Sequence, residues 1–200
     1  MKRNLLIQDG EFVLQIKKSL FYAFTFRILS DEDFFSSLLT LKKNYKNATH
    51  YCYAFRIQDL SNHTLEKMTD DGEPYGTAGI PLLSLLQSHC IANGAIVVVR
   101  YFGGIKLGKK GLYSAYLDVA KKSLLDAKIE EYIPKEVLDI AVQYTVFDRF
   151  ERICKKYESH FLQVDYGEVV KVKLEIASND KMALIEAFSQ ANIVKYVIIQ

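Results

Sequence analysis

The chain has 200 residues, half of them hydrophobic and a quarter charged, a composition that can bury a core and excludes an intrinsically disordered polypeptide. Its net charge of +2 is too small to announce nucleic-acid binding by itself, and Cys52, Cys90 and Cys154, scattered and without a C-x-x-C, exclude a disulfide framework. The opening MKRNLLIQDGEF is too weakly apolar for a signal peptide and no apolar stretch reaches bilayer length, so a soluble, cytoplasmic protein with no membrane partner is expected.

Residues 11–29 are rich in aromatic and β-branched side chains and read as one strand or two. Ser30 is a good N-cap for a helix to about Tyr45, with Phe34, Phe35, Leu38, Leu39 and Leu41 at helical spacing. ATHYCYAFRI alternates as a strand, Tyr51, Tyr53, Phe55 and Ile57 on one face and His50, Cys52, Ala54 and Arg56 on the other. A polar span from Gln58 to Gly79 reads as irregular, and loops of that length in compact domains tend to carry function. Pro81 suits the first residue of a short helix, and GAIVVVRYF is a strand without alternation, hence buried. After the glycine-rich YFGGIKLGKKG, Leu112, Ala115, Tyr116 and Val119 mark the buried face of another helix.

Pro134 divides the chain into domains 1–134 and 135–200. Beyond it the pattern is strand, helix, strand, strand, helix, strand, the βαββαβ plan of a ferredoxin-like domain. Phe147, Phe150, Ile153, Cys154 and Tyr157 line one face of its first helix, and Met182, Ile185 and Phe188 one face of its second. Residues 1–134 carry 17 Lys and Arg against 14 Asp and Glu, whereas 135–200 carry 9 against 10, so an anionic partner should prefer the first part.

Chemistry concentrates in two loops. From Gly103 the sequence spells G-x-x-x-x-G-K, then places Lys110 where a nucleotide-binding loop needs Ser or Thr for Mg²⁺. Strand, glycine turn and helix still suit an oxyanion held by backbone N–H groups, with Arg100, Gly103, Gly104, Lys106, Lys109, Lys110 and Gly111 as the anion-binding or nucleic-acid-binding candidates. The alternative is a tight turn with solvated lysines. The second loop, TDDGEPYGTAGIP, clusters Asp70, Asp71 and Glu73. These carboxylates could do acid–base work, with Asp71 and Glu73 as the catalytic candidates, or simply form turns. His50 and Cys52 share a strand face, but a Cys among aromatics is more often a small core residue than a nucleophile. The histidines are scattered, so no metal site and no cofactor are expected. GEVVKVKLEI lacks the aromatics of an RNA-recognition motif.

NATHYCYAFRI, DDGEPYGTAGIP and VVVRYFGGIKLGKKGLYSAY, in that order, closely resemble the YigZ/Impact family over roughly residues 17–127. The last third resembles the second domain of its bacterial two-domain members. The resemblance implies an α+β first domain similar to the second domain of ribosomal small-subunit protein five. The two domains in order look like the fourth and fifth domains of translation elongation factor G. Where the family usually continues K-L-G-x-G-G-L-x-R-A-Y, this chain has Lys110 for a glycine and Ser114 for the arginine, and Tyr75 replaces a small residue. If position 110 demands positive φ, Lys costs on the order of 1–2 kcal/mol there.

The resulting expectation is a non-enzymatic, translation-associated binding protein that contacts RNA or the ribosome, with a protein partner as a further possibility. Residues 100–122, with six Lys and Arg against Asp118, form its expected surface. The alternative is a hydrolase for a phosphorylated or peptide-like small molecule, whose cleft joins the acidic loop to Lys106.

Overall fold

The computed structural model describes residues 3–59 and 63–199. It is a mixed α/β protein built on antiparallel sheets, in two compact units, Met1–Tyr132 and Ile133–Gln200.

The first unit begins with three strands, β1 (Asn4–Gln8), β2 (Gly10–Ile16) and β3 (Ser19–Arg27). Helix α1 (Asp31–Asn44) follows, capped as expected: Ser30 Oγ accepts from the Asp33 N–H. Next come β4 (His50–Gln58), β5 (Thr64–Thr69), α2 (Gly79–Ser88), β6 (Gly94–Tyr101), α3 (Gly108–Asp126) and β7 (Lys128–Glu131). Five strands form one antiparallel sheet in the order β2-β3-β6-β4-β5, while β1 and β7 pair separately.

Period-two alternation sorts the sheet's side chains between two hydrophobic clusters. Phe21 and Ala23 of β3, Cys52 and Ala54 of β4, and Ile96 and Val98 of β6 pack with Leu82 and Leu86 of α2 and with Leu112, Tyr116 and Val119 of α3. The alternate residues, Tyr22 and Phe24, Tyr53 and Phe55, Val97 and Val99, pack with Phe34 and Leu38 of α1. Covered on both faces, β6 is apolar without alternation, and Arg100 two residues beyond Val98 points to the α3 side.

Two expectations fail here. The span Gln58–Gly79 is not irregular throughout, because β5 pairs with β4 across it; residues 60–62 lie outside the described residues. Its TLEKMT is polar because it is an edge strand, with Glu66 on Arg56 and Lys67 on Asp31. Pro81 is the third residue of α2, not its first, since Asp70 caps the helix from a distance: its Oδ1 accepts the N–H groups of Ala78 and Gly79 at 2.8 Å each.

The second unit comprises β8 (Lys135–Val142), α4 (Tyr144–Lys156), β9 (His160–Tyr166), β10 (Val170–Ala177), α5 (Lys181–Gln190) and β11 (Val194–Ile199). Its sheet runs β11-β8-β10-β9 with every pair antiparallel, so the βαββαβ order is present. Phe150 and Cys154 of α4 pack on Leu138, Ile140, Val172 and Leu174, with Phe147, Ile153 and Tyr157 at the margin. In α5 the buried pair is Leu184 and Phe188, four apart; Met182, expected on that face, is 73% exposed.

Candidate functional site

The two loops singled out by sequence meet on the α3 side of the first sheet, and the acidic one is consumed by architecture. Asp70 caps α2 and its Oδ2 also accepts the Gly76 N–H at 2.8 Å. Asp71, at φ 42, accepts the Tyr51 N–H on one carboxylate oxygen at 2.6 Å, and its carbonyl accepts the His50 Nδ1–H at 2.7 Å. Glu73 alone turns inward and is 8% exposed. Its Oε1 accepts from Arg100 Nη1 and, at 2.8 Å, from the Tyr116 hydroxyl, with His50 Nε2 3.8 Å away. No group of three or more His, Cys, Asp and Glu suited to a metal ion occurs among the described residues.

Arg100 is therefore a buried partner of Glu73, 4% exposed, at the end of β6. Its guanidinium lies 5.2 Å from the Phe21 ring centre and 5.3 Å from that of Phe102, within cation–π range, and Nη2 donates to Ser19 Oγ at 3.3 Å. Nε is buried without a hydrogen-bond partner. Around this ion pair sit two groups that burial holds protonated. Burial pushes the Tyr116 phenol up, with Cys52 and Glu73 adding to it, and burial likewise pushes the Cys52 thiol up. The Cys52 sulfur lies 3.0 Å from the Asp70 carbonyl and 3.3 Å from the Tyr116 oxygen, so Cys52 is a core residue and does not pair with His50.

The glycine loop follows from the same packing. Gly103 donates its N–H to Ser19 Oγ at 3.1 Å, and a Cβ there would lie 2.1 Å from the Lys18 carbonyl carbon, so the β2–β3 turn admits only glycine. Gly104 and Gly108 hold the positive φ values of the loop, +83° and +73°. Lys109, Lys110 and Gly111 lie in the first turn of α3, and Lys110 is not among the positive-φ residues. Lys110 therefore carries no positive-φ strain, because a helical residue needs no glycine.

Lys106, Lys109 and Lys110 are all exposed. The first turn of α3 contains no acidic residue, and Leu107 supplies no side-chain cap, so its leading N–H groups have no partner from the cap position. Between the loops lies a cavity of about 410 Å³ lined by His50, Glu73, Pro74, Arg100, Phe102, Lys106 and Lys109 among others. Sequence reasoning missed Tyr116 and Ser19 as parts of this site. The helical period identifies Tyr116 as a core position, and no local signal distinguishes a tyrosine whose hydroxyl must find a buried carboxylate.

Impact N-terminal domain, a family defined over the β3–α3 region here, matches residues 17–124, and those residues hold the whole Glu73–Arg100–Tyr116 network. The chain belongs to the Impact family. IMPACT family member YvyE of Bacillus subtilis is 31% identical over 90% of this chain and 82% of its own length. An IMPACT family member of Haemophilus influenzae is 32% identical over 88% of this chain and 83% of its own. One crystal structure of a hypothetical protein shares the fold of this Impact protein, with a TM-score of 0.62, 22% identity and coverage of 100% of this chain and 97% of that one. No helix among the described residues is long and apolar enough to cross a membrane.

Proposed function

We propose that this Impact family protein is a non-enzymatic, translation-associated binding protein that contacts RNA or the ribosome through the basic surface where the glycine loop enters α3. The observation that carries the reading is the exposure of Lys106, Lys109 and Lys110 around an uncapped helix start free of acidic residues. Partial positive charge on the leading N–H groups and three flexible ammonium groups favour phosphate oxygens there. Gly103 and Gly104 shape the turn and Gly111 lies in the helix it feeds. Arg100 contributes by anchoring the loop, since its charge is engaged by Glu73. The translational part rests on the resemblance of the first domain, residues 1–134, to the second domain of ribosomal protein five. It rests equally on a ferredoxin-like reading of the βαββαβ domain that follows.

Co-sedimentation with ribosomes and bulk RNA at two salt concentrations tests it. Binding should weaken steeply as salt rises, because phosphate contacts release condensed counterions. Absence of binding at low salt, or binding unchanged when Lys106, Lys109 and Lys110 are all replaced by Ala, overturns it.

The cavity beside Glu73 favours a second reading, a hydrolase in which His50 and Glu73 handle protons and Lys106 holds an anionic substrate. Asp71 leaves that scheme because its carboxylate is committed to Tyr51. The engagement of Glu73 by Arg100 and Tyr116 weighs against it. Hydrolysis of p-nitrophenyl phosphate that disappears in His50→Ala would establish it; no turnover above the buffer rate rejects it.

A further inference from the structure

We infer that the groove between the Tyr75 turn and the start of α3 is a stacking site for an unpaired nucleotide of RNA, its base against Tyr75 and Tyr113 and its phosphates on Lys109 and Lys110. This rests on the RNA reading above and names what part of an RNA is recognised. The groove, about 460 Å³, is lined by Tyr75, Thr77, Lys109, Lys110, Tyr113 and Ser114, with no carboxylate among its lining residues. That volume falls in the range of small-ligand sites, roughly 300–1,000 Å³.

Tyr75 is presented to solvent by a hydrogen-bonded turn. It is 85% exposed, while Glu73 and Thr77 on either side are 8% and 4% exposed. The turn is pinned by the Gly76 N–H on Asp70, and by the Thr77 N–H and hydroxyl on the Pro74 carbonyl at 3.1 and 2.6 Å. A ring carried on a backbone that is already fixed needs no ordering of the loop when a second flat surface covers it. Across the groove, Tyr113 is 40% exposed. It stands four residues after Lys109 on α3, and Ser114 four after Lys110, so each lysine shares a helix face with the residue that follows it by one turn.

Tyr75, Lys110 and Ser114 all line this groove. Aromatic faces flanked by ammonium groups suit a flat base joined to phosphate, and a base already stacked inside a duplex has no face to offer. The occupant is therefore single-stranded.

Fluorescence anisotropy with a labelled oligouridylate, the same strand annealed to its complement, and an abasic strand of equal length tests the assignment. Tyr75→Ala should weaken the oligouridylate by about tenfold, the scale of one lost base–aromatic stack, and Tyr75→Phe should retain binding. Tyr75→Ala should leave the abasic strand and the salt slope unchanged, whereas Lys109→Ala with Lys110→Ala should lower that slope by about 1.4. Oligouridylate binding indifferent to Tyr75, or lost equally for the duplex and the abasic strand, overturns this proposal and leaves the RNA reading standing. No binding of any strand at low salt overturns both.

Discussion

Glu73 stands in a run of acidic residues, yet only its carboxylate goes inward, to Arg100 and Tyr116, while Asp70 and Asp71 are satisfied by backbone N–H groups. Removing one partner of such a buried pair leaves the other charge without compensation, at a cost of about 3–5 kcal/mol. Glu73→Ala should accordingly lower unfolding stability by that order in urea denaturation, and Glu73→Ala combined with Arg100→Met should recover a large part of the loss. A double variant no more stable than the single one would contradict the pairing. At this scale the sequence made legible which residues are charged and which glycines punctuate the loop. It did not reveal that Arg100 is spent internally while Lys106, Lys109 and Lys110 face water, because that depends on strand parity. Arg100 shares a face with Val98 and Ile96, and only the coverage of both faces of β6 turns that parity into burial.

Elements with a strong apolar period were legible, and those held by distant partners were not. The α1 cap falls where the pattern puts it because Ser30 carries a local signal. Strands β1 and β7 escaped because they are short and pair with each other across most of the first unit's sequence, and β5 because it is a polar edge strand. The start of α2 shifted because its cap is eight residues upstream. Between elements, Lys181 at the start of α5 donates to Glu136 of β8 at 2.6 Å. That hydrogen bond, helped by Ser178, holds the Glu136 carboxyl below its usual range. A lowered folded pKa means the contribution is present above the ordinary carboxylate range and is lost as pH falls through the lowered value. Thermal melts from neutral to acid pH should show Glu136→Gln losing stability at neutral pH and converging on the unmodified protein in acid. Parallel curves at all pH values would contradict it.

Across the whole molecule, the first unit holds two apolar clusters and the second one, and the surface proposed to attract anions lies on the first. Net charge concealed this. A total of +2 averages the Lys-rich entry of α3 with a second unit that is nearly neutral. The absence of a side-chain cap on α3 becomes meaningful only once the loop geometry shows which groups surround the exposed N–H donors. The central claim is that these lysines contact nucleic-acid phosphate. The salt dependence of RNA affinity tests it most directly, compared between the unmodified protein and the Lys106→Ala, Lys109→Ala, Lys110→Ala variant. The account predicts a steep slope for the former and a slope shallower by about 2 for the latter. Equal slopes, or no RNA affinity at low salt, would contradict it.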